Sequence, residues 1–195
     1  PHVAGGEGEF DLGTVNIIAY RLPRSQSCKR ARLSRALWQT PALKIGRCLY
    51  LLPHLKTCKL LHYQGSIFFS AELSRLCEME GIEMHQMAYL RVVYPMNHEN
   101  VLQALTEAQE AKAERLLMAC RWLADEIKTG SMQDIERFRK ILSAHRSRYR
   151  GLKGIVLFLS RELGVDLYPS LKKVYASFKV CDALLETTSM QVLPK

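Results

Sequence analysis

Between Arg21 and Trp38 the chain reads RLPRSQSCKRARLSRALW, with six cations and no acid. These residue types suit the capture of anions. Ser25 or Ser27 can cap a helix that runs to about Trp38. The positive end of a helix dipole lies at its N-terminus and favours acids there. Arg24, Lys29 and Arg30 stand there instead, around unpaired backbone N–H groups. Such a cluster suits phosphate or another tetrahedral oxyanion. Arg32 and Arg35 carry the charge along the side opposite Leu33, Ala36, Leu37 and Thr40.

A second basic stripe, RFRKILSAHRSRYRGLK, spans residues 137–153. Arg139, Arg146 and Arg150 line one edge of its apolar face, with Tyr149 between them. Phosphate contact with ring stacking has this pattern. So does an arginine covering the apolar edge of its own helix. Cys48, His54, Cys58 and His62 are of metal-ligating type, but their spacing matches no standard closed site, so no metal is expected. Cys28 sits at the cationic helix start, which suits either a thiol activated by the cations or a buried, inert one. No nucleophile elbow, phosphate-binding loop, zinc-protease motif or dinucleotide fingerprint occurs, and no catalytic residue or cofactor is implied.

The charge map sharpens the anion reading. The chain has 195 residues and a formal net charge of +9. Ten cations and no acid lie between Leu12 and Ala71. An acid-free block of this length points to nucleic acid, an acidic protein or a small oxyanion. No apolar run is long enough to span a bilayer. The six cysteines form no disulfide pattern, so a cytoplasmic location is expected.

These residues need elements to hold them. TVNIIAYRL (14–22) reads as a strand, and 42–53 as one bent strand or two joined near Gly46. A helix is predicted over 66–81, capped by Ser66 or Ser70 and stopped by Gly81. Residues 83–95 alternate like a strand. The order β-α-β(β)-α-β predicts an α+β fold, a ferredoxin-like αβ sandwich followed by a helical C-terminal half.

In that half a long helix spans 97–130, with a stripe of Val101, Leu105, Ala108, Lys112, Leu116, Cys120, Leu123 and Ile127. SMQD (131–134) is a capping-box pattern for the next helix, which Gly151 and Gly154 are expected to break. A last helix aligns Leu171, Val174, Tyr175, Phe178 and Leu185. The organisation expected is a leader (1–13), a ferredoxin-like domain (14–96), a helical region packed on it (97–187) and a tail (188–195).

The run NIIAYRLPRSQSCKRARLSRALWQTPALKIGRCLYLLP (16–53) resembles the opening of the ChrB family of chromate-resistance regulators. Arg21, Leu22, Pro23, Arg32, Leu37, Trp38, Tyr50, Leu51 and Pro53 hold the family's Leu-Pro turn, Arg/Trp helix and closing Leu-Pro segment. The resemblance is to the family's N-terminal domain. A more distant one is to the PaaX regulators and to small CRISPR-associated endoribonucleases. The Asp that those nucleases use after the first strand is replaced here by Arg21, Leu22 and Pro23.

The resemblance implies a cytoplasmic transcription regulator that binds DNA and responds to chromate or a similar oxyanion. Arg24, Lys29, Arg30, Arg32 and Arg35 would make the anion contacts, with Arg139, Arg146 and Arg150 as a second set. Two other classes fit the residues. One is a redox accessory enzyme acting on an oxyanion through Cys28. The other is an interaction module or homodimer using the long helix over 99–128. No helix of the DNA-reading helix-turn-helix kind stands out.

Overall fold

The computed structural model describes residues 14–23, 25–54, 61–63, 67–92, 95–130 and 134–190. The first half contains β1 (Thr14–Arg21), α1 (Ser27–Trp38), β2 (Leu43–Gly46), β3 (Leu49–Pro53), α2 (Ser70–Glu80) and β4 (Glu83–Arg91), with a 3-10 turn at Leu61–Tyr63. The second half is α3 (Pro95–Thr129), α4 (Ile135–Leu163) and α5 (Tyr168–Met190). The fold is therefore mixed α+β, with its strands in the N-terminal half and a helical C-terminal half.

The strands form one antiparallel sheet in the order β2-β3-β1-β4. The segment 42–53 divides into two strands, with Cys48 in the turn at a φ of 61°. Consecutive side chains of a strand point to opposite faces, and Leu51 and Leu52 duly join different cores. On one face α1 and α2 pack Leu33, Ala36, Leu37, Leu73 and Cys77 onto Ile18 and Leu52. Each of these leucines is worth about 2–5 kcal/mol against Ala. On the other face Val15 and Leu51 join one continuous core with α3, α4 and α5. The helical half thus packs directly on the sheet.

β4 departs from simple alternation. Val15 pairs with Leu90 and Ile17 with Met87, so Ala88 and Tyr89 together stand opposite Asn16. This bulge holds Tyr89 at a φ of 60°. The buried Asn16 Oδ1 accepts the Tyr89 N–H at 3.2 Å, and its amide donates to Ser70 Oγ at 3.0 Å.

Three helix boundaries differ from expectation. α1 begins at Ser27 with Gln26 before it, and no side chain among the described residues caps it. α2 begins at Ser70; the carboxylate of Glu72 accepts the Phe69 N–H at 3.0 Å in place of a serine cap. Gly81 does end α2, at a φ of 60°. Gly151 and Gly154 do not break the chain, because α4 runs unbroken through both. A Cβ at Gly151 would lie 3.0 Å from Gln39 Cγ, so this glycine lets α4 approach the end of α1. That close packing offsets the cost of about 1 kcal/mol that glycine carries in a helix interior. The expected leader 1–13, residues 131–133 of the capping pattern and residues 191–195 of the tail lie outside the described residues.

Lys112 sits within the core stripe of α3 as predicted, but Tyr175 lies at the edge of its stripe and is half exposed. No helix among the described residues is long and apolar enough to cross a membrane.

Candidate functional site

The start of α1 carries no acid, and the structure separates its cations. Arg24 lies outside the described residues. Lys29 is half buried, with Nζ beside Gly81. Arg30 Nη2 donates to the Pro23 carbonyl at 3.0 Å. Arg32 is engaged in an ion pair with Glu80. Arg35 Nε donates to the Ala31 carbonyl at 3.3 Å, leaving its charge unmatched by any carboxylate among the described residues.

What α1 does supply is its outer edge and its C-terminus. There it meets α3 and α4 across a cleft of about 560 Å³. Arg35, Trp38, Arg115, Ser147 and Arg148 line this cleft. A second cleft of about 400 Å³ adjoins it toward the sheet, lined by Tyr20, Arg30, Lys44, Tyr50, Lys112 and Arg115 among others. The two share Ser34, Trp38 and Arg115. Among the described residues no carboxylate lines either one. The result is one continuous recess whose charged lining, among the described residues, is cationic.

Trp38 is the aromatic centre of the recess. Its Nε1 donates to the Arg148 carbonyl at 3.4 Å. The Arg148 guanidinium lies 5.9 Å from the ring centroid, within cation–π range. Tyr20 and Tyr50 stack at 6.2 Å on the opposite wall. Burial first, then Tyr50 and Cys48, raises Tyr20 far above the ordinary phenol value, so it keeps its proton and can donate.

Lys112 closes the floor. Its Nζ donates to the carbonyls of Thr40 at 2.8 Å and Trp38 at 3.3 Å. The Trp38 carbonyl is the last of α1 and lacks a partner inside the helix, and Thr40 lies two residues beyond it. One turn earlier on α3, the buried Gln109 donates to the Ala42 carbonyl at 3.3 Å. Burial pushes the Lys112 amine down to about 7, and the Arg115 charge acts in the same direction. An anion bound nearby would favour the charged amine and draw a proton onto it.

The second predicted set is divided. Arg139 pairs with Glu136 at 3.0 Å, and Arg146 pairs with Asp182. Arg150 lines a different cavity, on the far flank of α4 from the cleft. Of the metal-type residues, Cys58 lies outside the described residues, and His54 meets the Tyr89 ring edge-on at 4.6 Å. Among the described residues no group of three or more His, Cys, Asp or Glu is placed to hold a metal ion. Cys28 is an exposed free thiol.

Residue patterning points to Arg30 and Arg35 but misses Lys44, Lys112, Arg115 and Arg148, which come from other elements. One signal was available: a lysine at position 112 inside an otherwise apolar stripe. The chain matches no family model, no curated protein and no solved structure.

Proposed function

We propose that this chain is a DNA-binding transcription regulator similar to the ChrB family, and that the recess around Trp38 takes the phosphate backbone. The observation that carries the reading is the joint lining by Arg35, Arg115 and Arg148, with no carboxylate among the described residues there. Phosphate contacts supply most of the affinity of such proteins and need cations free of competing acids. The adjoining cleft, with Lys44, Lys112 and the Tyr20 hydroxyl, is the place for a tetrahedral oxyanion effector such as chromate.

The topology is in keeping with this reading. The order β2-β3-β1-β4, with antiparallel neighbours and both α1 and α2 on one face, supports a ferredoxin-like module. The test is fluorescence anisotropy with a duplex from upstream of the chain's own gene and a scrambled duplex beside it. Sequence-dependent binding that chromate releases supports the regulator. Binding that ignores both sequence and chromate removes it.

A second reading rests on Met118 and Trp122, one turn apart on α3 and each more than half exposed. They suit a homodimer formed through α3. Light scattering that shows a monomer at every concentration would exclude that form.

A further inference from the structure

A second recess, of about 490 Å³, opens between α4 and α5. Its volume falls in the range of about 300–1,000 Å³ typical of small-molecule sites. Its lining combines two kinds of group. Tyr149 and Tyr175 form an aromatic wall, their ring centroids 6.3 Å apart and tilted by 31°. Phe178 braces Tyr149 edge-on at 5.4 Å, which holds that ring in place. Around this wall stand Arg146, Arg150 and Lys179.

Among the described residues the lining contains one carboxylate, Asp182, and Arg146 already engages it. Arg150 makes no ion pair among the described residues. Lys179 Nζ sits 5.6 Å from the Tyr175 ring centroid and makes no ion pair there either. The recess thus keeps two uncompensated cations beside an aromatic surface that is half exposed at Tyr175. Burying a large ring at the edge of an otherwise apolar helix face would be the usual use of Tyr175. Its exposure leaves a flat surface open to a ligand instead.

We propose that this recess binds a small aromatic anion, a planar ring carrying a carboxylate or a phosphate. The ring packs on Tyr149 and Tyr175, and the anionic group meets Arg150 and Lys179. Neither half of the lining suffices alone. An apolar ring without charge leaves the cations unmatched, and inorganic phosphate leaves the aromatic wall bare. The recess lies on the opposite flank of α4 from Ser147 and Arg148, so it is separate from the recess around Trp38.

The test is calorimetric titration of the full chain, without DNA, using benzoate and adenosine monophosphate as probes. Cyclohexanecarboxylate and inorganic phosphate serve as controls. The expected result is saturable binding of one or both aromatic probes, at least tenfold tighter than the matching control, and roughly tenfold loss in both Arg150→Glu and Tyr175→Ala. Benzoate alone would identify the ligand as a ring carboxylate, and the nucleotide alone as a ring phosphate. Both substituted side chains are exposed or half exposed, so the fold tolerates their loss. Absence of binding by either probe overturns the proposal. So does binding that the controls match or that the two variants leave unchanged.

Discussion

Lys112 Nζ donates to the Thr40 carbonyl at 2.8 Å, across 72 residues of chain. This contact ties the long helix of the second half to the end of the basic helix in the first. It also places an amine at the floor of an acid-free recess. Both consequences can be measured.

The first concerns pH and stability. The folded amine titrates at about 7, against an ordinary lysine value of 10.5. Between those values the unfolded chain binds more protons than the folded one, so this group makes stability rise with pH from about 7 toward 10. Tyr63, pushed up to about 12 by burial and Glu162, and Cys181, pushed up to about 11 by burial, act in the opposite sense at higher pH. The difference between wild type and Lys112→Met isolates the lysine. Urea melts at several pH values should show that difference drifting in favour of wild type by about 1–3 kcal/mol across the window. A constant difference would mean that Lys112 titrates normally.

Asn16 holds the β4 bulge from beneath. Its side chain bonds Tyr89 N–H and Ser70 Oγ, and it is 3% exposed. Asn16→Ala leaves the strained Tyr89 N–H without this acceptor. The expected cost is about 1–3 kcal/mol, measured by chemical denaturation. A cost near zero would show that water or backbone replaces Asn16 there.

Gly130 ends α3 against the ring of Phe138. A Cβ at that position would lie 2.7 Å from Phe138 Cζ and 2.8 Å from the Glu126 carbonyl oxygen. The ring is buried and the carbonyl is backbone, so neither yields easily. Gly130→Ala should destabilise by about 1–3 kcal/mol despite the better helix propensity of alanine. An increase in melting temperature would contradict the packing described.

Much of the fold was legible in residue pattern. The wheel of α1 placed Leu33, Ala36, Leu37 and Thr40 together, and all four are buried. The alternation over 42–53 admitted one strand or two, and the turn at Cys48 decides for two. Gly151 misled because a glycine that breaks a helix and one that lets another helix approach look alike in sequence. Only the position of Gln39 tells them apart. The bulge at Tyr89 was hidden for a similar reason: its partner Asn16 is 73 residues away.

The candidate site was half legible. The charge of α1 was plain, but Arg32 is matched by Glu80, an acid from α2 that no local pattern connects to it. Arg115 and Arg148 enter the recess because α3 and α4 pack beside Trp38. Arg115 lies in a mixed-charge stretch of α3 and Arg148 in the basic stripe of α4, and the destination of each is set by tertiary packing alone.

Arg32, matched by Glu80, and the recess arginines Arg115 and Arg148 should therefore differ in what they give to DNA binding. DNA affinity would be measured by anisotropy over a range of salt for wild type, Arg32→Gln and Arg115→Gln/Arg148→Gln. Each phosphate contact removed lowers the slope of log affinity against log salt by about 1. The double variant should therefore lose about 2 from the slope, and Arg32→Gln should leave it unchanged. A double variant with the wild-type slope, or an Arg32→Gln variant that loses as much, would contradict phosphate binding in the recess around Trp38.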